Sequence, residues 1–511
     1  MTQNKQEKLK NIALRSAIIV YGTFAALALT LGVLFTLGIR WMFVQWRNLG
    51  MDELIFTVTS PIEGANRELY FEFAWFVIPT TTLVVALFLT LFFSKHFRIR
   101  TLALIMTSMV MLGVGLTASV AYYTWNRLDV STFIANQSII SDFIGEQYVD
   151  PKNVNLTFPD NPRNLIFIYL ESIETTFADK ESGGDFEINL IPELTSIAKE
   201  NEDFSGDDSR INGGISLPGS GWTMGAMFAQ TAGLPLNITG IMDTNAMMYQ
   251  ESFFPELLTL GGILEEAGYY QALLIGSGKR FGGRELYYTT HGNFTFWDYW
   301  YAHDNGYIPE GHRVFWGFED WRLFEIAQSK LPELAAKDQP FHLSMLTVDT
   351  HAYGGWLCEL CPPVEDNQYS STLRCSSAQI YEFLNWIMQQ DFYENTTVIL
   401  SGDHLTHDGT FSEHFNESDY QRRTFTAFVN APIEPIQPNL RREFSTMDMF
   451  PTTLAAMGVE IPGNRLGLGT DLFSVSPTLI ERFGLAEVTA ELSKRSDFIE
   501  HLNRDLQPIE E

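Results

Sequence analysis

The sequence predicts an α/β domain, doubly wound around a mostly parallel sheet, behind a block of three membrane-spanning helices. Three observations carry this. The first quarter holds three long apolar stretches, and beyond about residue 160 strand-like runs alternate with helical patterns. Two of the strand-like runs end directly in acidic or histidine side chains: NLIFIYL (164–170) leads into Glu171, and TVILSGDH (397–404) ends in Asp403 and His404. Ligands of open α/β sheets bind at such carboxyl ends of strands.

The apolar stretches are Ala17 to Ile39, Phe71 to Phe93 and Leu102 to Tyr122. Each reaches the ~20 residues that a helix needs to cross a bilayer. The first is too long for a signal peptide and two more follow it, so an uncleaved anchor over 1–126 is expected. Lys5, Lys8, Lys10 and Arg15 precede the first span, and Lys95, Arg98 and Arg100 fill the turn between the second and third. In the intervening loop Arg40, Arg47 and Arg67 are offset by Asp52, Glu53, Glu63 and Glu68. The positive-inside rule then puts the N-terminus and the second turn in the cytoplasm, and the chain from about 127 onward outside. A bacterial inner membrane is the expected location.

Charge is uneven. Residues 1–126 hold 10 basic and 6 acidic side chains, leaving 23 basic and 56 acidic in the remainder of a chain with net charge −29. So acidic a region repels nucleic acid, which excludes DNA and RNA as partners. Its plainest role is solubility.

Residues 127–161 read as a connector with a helix through Ser138 to Gln147, and PDNP at 159–162 punctuates the entry to the domain. Strands are expected at Leu165–Leu170, Gln271–Ile275, Phe341–Val348, Thr397–Leu400 and Thr424–Val429, with helices at Phe254–Ala267, Val314–Leu331 and Ser376–Gln390. This alternation argues for a parallel sheet covered on both faces. The domain is expected to run over 162–482, followed by a charged, peripheral helical tail over 483–511. Cys358, Cys361 and Cys375 fall in one short segment. With one CxxC pair and no second, zinc is disfavoured, and a Cys361–Cys375 disulfide in an oxidising compartment is the expected pairing. The third thiol has no assigned role.

The strand-end carboxylate and the Asp-His pair suggest one metal site assembled by the fold. Between them lies INGGISLPGSGWTMGAMFAQTAGLPL (211–236), where a helical pattern opens at Thr223. A hydroxyl at a helix start sits where free N–H groups favour an anion, and activated by a metal it could attack phosphorus. The plain alternative is that Thr223 is an N-cap. His407, Asp408, Glu413 and His414 just beyond the SGDH run could hold a second metal or simply line a solvated loop. The aromatic run FWDYWY (296–301) could pack or stack on a sugar ring.

YLES with Glu171, GWTMGAMFAQTAGLPL with Thr223, FGGR at 281–284, TVDTH ending at His351, and SGDH with His404 occur together in one order. Over about 160 to 475 this resembles the phosphoglycerol transferases and lipoteichoic acid synthases of the sulfatase-like alkaline phosphatase superfamily. The three-span anchor, the HGN–F pattern at 291–296 and the cysteine-bearing loop after VDTH resemble most the transferases that decorate periplasmic glucans. The resemblance implies a sulfatase-like domain and one divalent cation, Mn²⁺ or Mg²⁺ rather than Zn²⁺, held by Glu171, Thr223, Asp403 and His404. It implies Thr223 as nucleophile, with Arg284 and His351 on the donor headgroup. The donor would be phosphatidylglycerol in the bilayer, and the acceptor a glycan or glycerophosphate polymer. Three oxygens and an imidazole suit a hard cation, and Arg offers phosphate a planar fork. The chain departs from lipoteichoic acid synthases at Gly282, where they carry an aromatic residue.

Three alternatives stand beside this reading. A phosphoethanolamine transferase shares the threonine nucleophile but usually has more anchor helices and disulfides. A formylglycine sulfatase needs a CxPxR-like motif that the Thr223 segment lacks. A catalytically silent sensor or scaffold would be expected to have lost a ligand, and all four are present.

Overall fold

A computed structural model describes residues 3–46, 49–59, 67–93, 98–207, 209–236, 251–352, 354–364 and 367–503. Arg47, Glu63 and Lys95 of the charge pattern, and the tail beyond 503, lie outside the described residues. The chain forms two compact units, one of Met1–Leu49 with Asn66–Thr132 and one of Gly50–Ala65 with Phe133–Glu511. The segment between the first two apolar helices therefore groups with the larger unit, a division that a boundary at 126 does not anticipate.

The first helices are α1 (Gln3–Gln45), α2 (Met51–Thr59), α3 (Arg67–Phe93) and α4 (Ile99–Arg127). Among them α1, α3 and α4 are long and apolar enough to cross a membrane, over Glu7–Gln45, Leu69–Phe92 and Ile99–Arg127. Within this smaller unit α1 and α4 meet backbone to backbone: a Cβ on Gly32 would strike the Gly113 carbonyl, and one on Gly113 the Ala28 carbonyl. Ala25, Leu29, Met106 and Met109 fill the rest of the seam. Lipid tails give helices no hydrophobic reason to associate, so close van der Waals contact between small residues does it.

The connector holds two short helices, α5 (Val130–Gln137) and α6 (Phe143–Gln147), in place of the single helix expected over 138–147. The break falls at Ser141, whose N–H donates to the Arg495 carbonyl (2.9 Å) and whose hydroxyl donates to Glu491 (2.6 Å). The tail that supplies these partners is helical but not peripheral. Val488, Leu492 and Ile499 are buried in the main core, because its apolar stripe outweighs a charged outer face in deciding where it sits.

The strands are β1 (Asn164–Leu170), β2 (Gly213–Gly214), β3 (Tyr270–Ile275), β4 (Thr295–Trp297), β5 (Phe341–Leu346), β6 (Thr396–Gly402) and β7 (Thr424–Val429). They form one sheet in the order β2-β7-β6-β1-β5-β3-β4. The pairings from β6 through β1, β5 and β3 to β4 are all parallel, and β7 and β2 close one side antiparallel.

Both faces are covered. Leu165, Phe167 and Tyr169 of β1 point into one core with Met227, Phe228 and Leu260, while Ile166, Ile168 and Leu170 point into the other with Phe324, Leu373 and Phe383. That period-two division is what a strand buried on both sides requires. Around the sheet lie α7 (Pro192–Glu200), α8 (Thr223–Ala232), α9 (Leu260–Glu266), α10 (Arg284–Thr290), α11 (Tyr299–Asp304), α12 (Asp320–Ala335), α13 (Gln368–Met388), α14 (Ser412–Glu417) and α15 (Met449–Ala456). Two of the expected helices are displaced at their starts by local caps, and the one expected from Val314 begins at Asp320 without one. Thr259 accepts from Gly262 N–H and begins α9, and Asn367 accepts from Ser370 N–H and begins α13 at Gln368 rather than 376.

Candidate active site

β1 and β6 are parallel neighbours in register, with Leu170 opposite Gly402. Their carboxyl ends therefore release Glu171 and the Asp403–His404 pair side by side. Gly402 is needed there, since a Cβ would collide with the Ile173 carbonyl. Ser172 turns the chain away from β1 at φ +57°, a left-handed conformation that non-glycine residues adopt rarely. The turn lets Ser172 N–H donate to Asp403 Oδ1 (2.8 Å) and its hydroxyl donate to Glu171 Oε1 (2.8 Å).

Thr223 opens α8. The N-cap is Trp222, in extended conformation and making no side-chain cap, so Thr223 is the first helical residue and not the cap. Its hydroxyl faces Glu171 Oε2 at 3.4 Å and His404 Nε2 at 3.5 Å. His404 Nε2 lies 3.4 Å from Glu171 Oε1 and 3.5 Å from Asp403 Oδ2. One ligand atom each from Glu171, Asp403 and His404 falls within 4.8 Å of the others, and all three residues are buried.

These residues fit a divalent cation. Asp403 Oδ2 is buried and has no hydrogen-bond partner, which a carboxylate oxygen tolerates poorly without a cation. His404 Nδ1–H donates to the Leu405 carbonyl (2.8 Å), which leaves the Nε2 lone pair facing the cluster. Burial first, and the like charge of Glu171 next, push Asp403 up to about 7. Burial opposes a charged His404, yet Asp403 and Glu171 raise its pKa above the ordinary value. A crowd of carboxylates that needs positive charge is the electrostatic signature of a cation site.

Arg284 opens α10 and is buried, with its guanidinium donating to Phe281 O (3.1 Å), Ser277 Oγ (3.0 Å) and Gly278 O (3.3 Å). Burial lowers it to about 10, and the charge of Glu171 acts in the opposite direction. His351 is held by the Ala352 carbonyl (2.7 Å) and lowered to about 4 by burial, with His404 and Arg284 adding to the effect. Both residues thus lie within electrostatic reach of the cluster.

The aromatic surfaces next to them escape sequence reading. Trp316 packs on His351 at 4.6 Å between ring centroids and on Phe281 at 5.1 Å, and Arg284 lies over Phe281 at 5.4 Å. Phe281, one position before the Gly282 departure, is visible in the FGGR run. Trp316 comes from a loop with no motif.

The residues beyond SGDH do not gather into a second cation site among the described residues. His407 Nε2 donates to the Gly221 carbonyl (2.9 Å), Asp408 accepts from Gly354 N–H (2.6 Å), His414 pairs with Asp185 (2.9 Å) and Glu413 is exposed. Each has a structural partner or solvent. The FWDYWY run is mostly packing: Trp297 and Tyr299 are buried and Asp298 caps α11, leaving Trp300 exposed. Cys361 and Cys375 form a disulfide, and the buried Cys358 thiol lies 3.9 Å from Cys375 Sγ. Glu53 of α2 also escapes sequence reading. It belongs to the loop between two apolar helices, yet burial pushes its carboxyl up to about 8.

Residues 210–459 match the Sulfatase family model, a stretch that contains Thr223, Arg284, His351, Asp403 and His404 and begins after Glu171. Phosphoglycerol transferase I of Citrobacter koseri is 30% identical over 445 residues, covering 83% of this chain and 53% of the relative. Phosphoglycerol transferase I of Escherichia fergusonii is 33% identical over 327 residues, 62% of this chain and 40% of the relative. The chain thus spans about half, or less, of these relatives' length. Among solved structures, the lipooligosaccharide phosphoethanolamine transferase A from Neisseria meningitidis aligns with TM-score 0.48 and 12% identity over 86% of each chain. The lipoteichoic acid synthase LtaP from Listeria monocytogenes aligns with TM-score 0.42 and 15% identity over 66% of this chain and 82% of that one. Residues 210–459 thus carry a match to the sulfatase family, and the chain is similar to the phosphoglycerol transferases.

Proposed function

We propose that the protein transfers phosphoglycerol from phosphatidylglycerol to an extracytoplasmic glycan or glycerophosphate polymer, through a covalent intermediate on Thr223. The observation that carries this is the Thr223 hydroxyl, free of any capping role and 3.4–3.5 Å from Glu171 and His404. Thr223 Oγ bonds to phosphorus as the bond from phosphorus to the diacylglycerol oxygen breaks, and that oxygen leaves with a proton. An acceptor hydroxyl then attacks the phosphothreonine, restoring Thr223. Two displacements replace one harder one.

Glu171, Asp403, His404 and the Thr223 oxygen would hold one Mn²⁺ or Mg²⁺. When bound, that cation supplies the positive charge that eases loss of the threonine proton and offsets the phosphate's charge. The free N–H groups at the start of α8 face an incoming phosphate, and Arg284 would offer it the Nη1 donors that its bonds to Phe281, Ser277 and Gly278 do not use. His351, lowered to about 4, is neutral at pH 7 and orients the headgroup as a hydrogen-bonding group rather than as a cation. The three apolar helices would anchor the chain in the inner membrane with the larger unit facing the periplasm or cell exterior, in reach of lipid headgroups.

Purified full chain incubated with Mn²⁺ and labelled phosphatidylglycerol should release diacylglycerol and carry a phosphoglycerol mass on Thr223. Turnover of phosphatidylethanolamine with no turnover of phosphatidylglycerol would replace this reading with phosphoethanolamine transfer.

A further inference from the structure

We infer that α2, in the segment between the first two apolar helices, positions the turn that presents Thr223. This rests on Thr223 being the nucleophile. Two contacts from one short helix reach residues 219–222, and a third residue of it lies beside a side chain that holds them. Asp52 Oδ2 accepts from Gly219 N–H (3.3 Å). The Phe56 ring packs on Trp222 with centroids 5.4 Å apart. Glu53 lies 3.9 Å from His407 Nδ1, and His407 Nε2 donates to the Gly221 carbonyl (2.9 Å). A carbonyl only accepts, so Nε2 carries the proton and Nδ1 is a lone pair. That Nδ1 is buried without a hydrogen bond, with Glu53 as the acidic group in front of it.

The plain account of α2 is a short amphipathic helix with acidic residues in its first turn for the helix dipole. It explains the presence of Asp52 and Glu53 but not why Asp52 and Phe56 reach the same four residues while Glu53 lies beside His407. The turn is also held from outside, at Gly219, Gly221 and Trp222. A Cβ on Gly221 would meet no atom within 4 Å, so side-chain packing leaves that point of the turn free. Its internal ties gather at Ser220 and Gly219: Ser220 Oγ donates to the Leu217 carbonyl (2.8 Å) and accepts from Leu217 N–H (3.0 Å), the Ser220 N–H donates to the Leu217 carbonyl (3.0 Å), the Ser220 carbonyl accepts from the Ser216 hydroxyl (3.1 Å), and Leu236 N–H donates to the Gly219 carbonyl (3.0 Å). Ile55 and Phe56 are buried in the main core beside Trp222 and Met224, so α2 is a fixed support. Asp52 and Phe56 are thus positioning residues that touch the turn and not the reacting atoms, while Glu53 lies behind His407, the residue that holds the Gly221 carbonyl. The chain between two apolar helices reaches the nucleophile turn directly, so the catalytic unit is incomplete without it.

The test uses the full chain in detergent, with Asp52→Ala, Phe56→Ala, the double variant and the conservative Phe56→Leu. Two readouts are followed: amide hydrogen exchange over 216–224, and single-turnover formation of the Thr223 adduct. Exchange over this turn should rise about tenfold in the double variant. The adduct rate should fall by about one to two powers of ten while KM for donor stays within about twofold, since a misplacement of ~1 Å can cost ~10²-fold. Phe56→Leu should recover most of the rate. If the double variant does not fold, Asp52→Ala decides through the Gly219 amide, which loses its acceptor while the packing stays. Unchanged exchange in a folded variant overturns the inference. So does faster exchange with a wild-type adduct rate. If the wild type forms no adduct with any donor, the proposed reaction falls, while the exchange readout still decides whether α2 holds the turn.

Discussion

Replacing Arg422 by Met should destabilise the larger unit by about 3–5 kcal/mol, the cost of stranding a buried carboxylate. The carboxylate is Glu174, with no exposed surface, three residues beyond Glu171. Arg422 reaches it twice, Nε to Oε2 at 2.8 Å and Nη2 to Oε1 at 2.5 Å. Only the Thr406 N–H (3.1 Å) and the Thr176 hydroxyl (2.5 Å) would remain as donors. Two neutral donors do not replace a bidentate guanidinium in a dry site, whereas an exposed pair would cost only ~0.2–1 kcal/mol. Urea unfolding followed by tryptophan fluorescence reads the difference. With a slope of about 3 kcal/mol per molar, the midpoint should fall by about 1–1.7 M. Glu174→Leu combined with Arg422→Met should recover most of that, since it leaves no stranded charge. A loss under ~1 kcal/mol in Arg422→Met would refute the reasoning and class the pair with exposed ones. Thr406 is two residues past His404 and its carbonyl accepts from Arg422 (3.3 Å), so the same variant should loosen Mn²⁺ binding.

Thr223→Ala should abolish turnover with a stability change within ~0.5 kcal/mol, because the hydroxyl does no capping; wild-type-like activity would end its assignment as nucleophile. Arg284→Lys keeps a charge but loses the fork, so catalytic efficiency should fall by about one to two powers of ten on phosphatidylglycerol and on a soluble phosphoglycerol ester alike; neutrality on both would mean that another group holds the phosphate. A reporter active only outside the cytoplasm should work when fused after Glu511 and be silent at Lys95, and the reverse would remove the lipid-headgroup reaction. In Cys361→Ser, Cys358 and Cys375, whose sulfurs lie 3.9 Å apart, should form the disulfide instead; a free Cys375 by mass mapping would contradict that.

Much of the scaffold is legible because its strands are apolar runs buried on both sides. β1, β3, β5, β6 and β7 all lie where such runs lie in the sequence. β2 is illegible for a physical reason: it is Gly213–Gly214, with no side chains to pattern. It exists because β7 pairs with it and because a Cβ on Gly213 would strike the Thr424 carbonyl. The Glu171, Asp403 and His404 cluster is legible because strand ends announce it. The supporting shell is not. Trp316 on His351, His407 on Gly221 and α2 on Gly219 and Trp222 join residues far apart in the chain, and no local periodicity encodes such contacts. The tail misleads in the opposite way, since its charged face reads as peripheral while Val488, Leu492 and Ile499 are buried.

Three locally unfavourable choices meet at this site. Ser172 holds a left-handed conformation at φ +57°, which costs a non-glycine residue ~1 kcal/mol or more. Asp403 keeps a buried oxygen without a donor. Thr223 stands at the start of a helix whose cap position is occupied by Trp222, a poor capping residue, although its own hydroxyl could cap one place earlier. Separately each is a small defect in an otherwise well-satisfied α/β core. Together they are the turn that donates to Asp403, the oxygen that faces His404, and the hydroxyl that faces Glu171. A fold that only needed stability would put glycine at 172, an amide beside Asp403 Oδ2 and threonine at the cap. Departures from the stable choice that converge on one cluster of a few ångströms mark chemistry rather than accident.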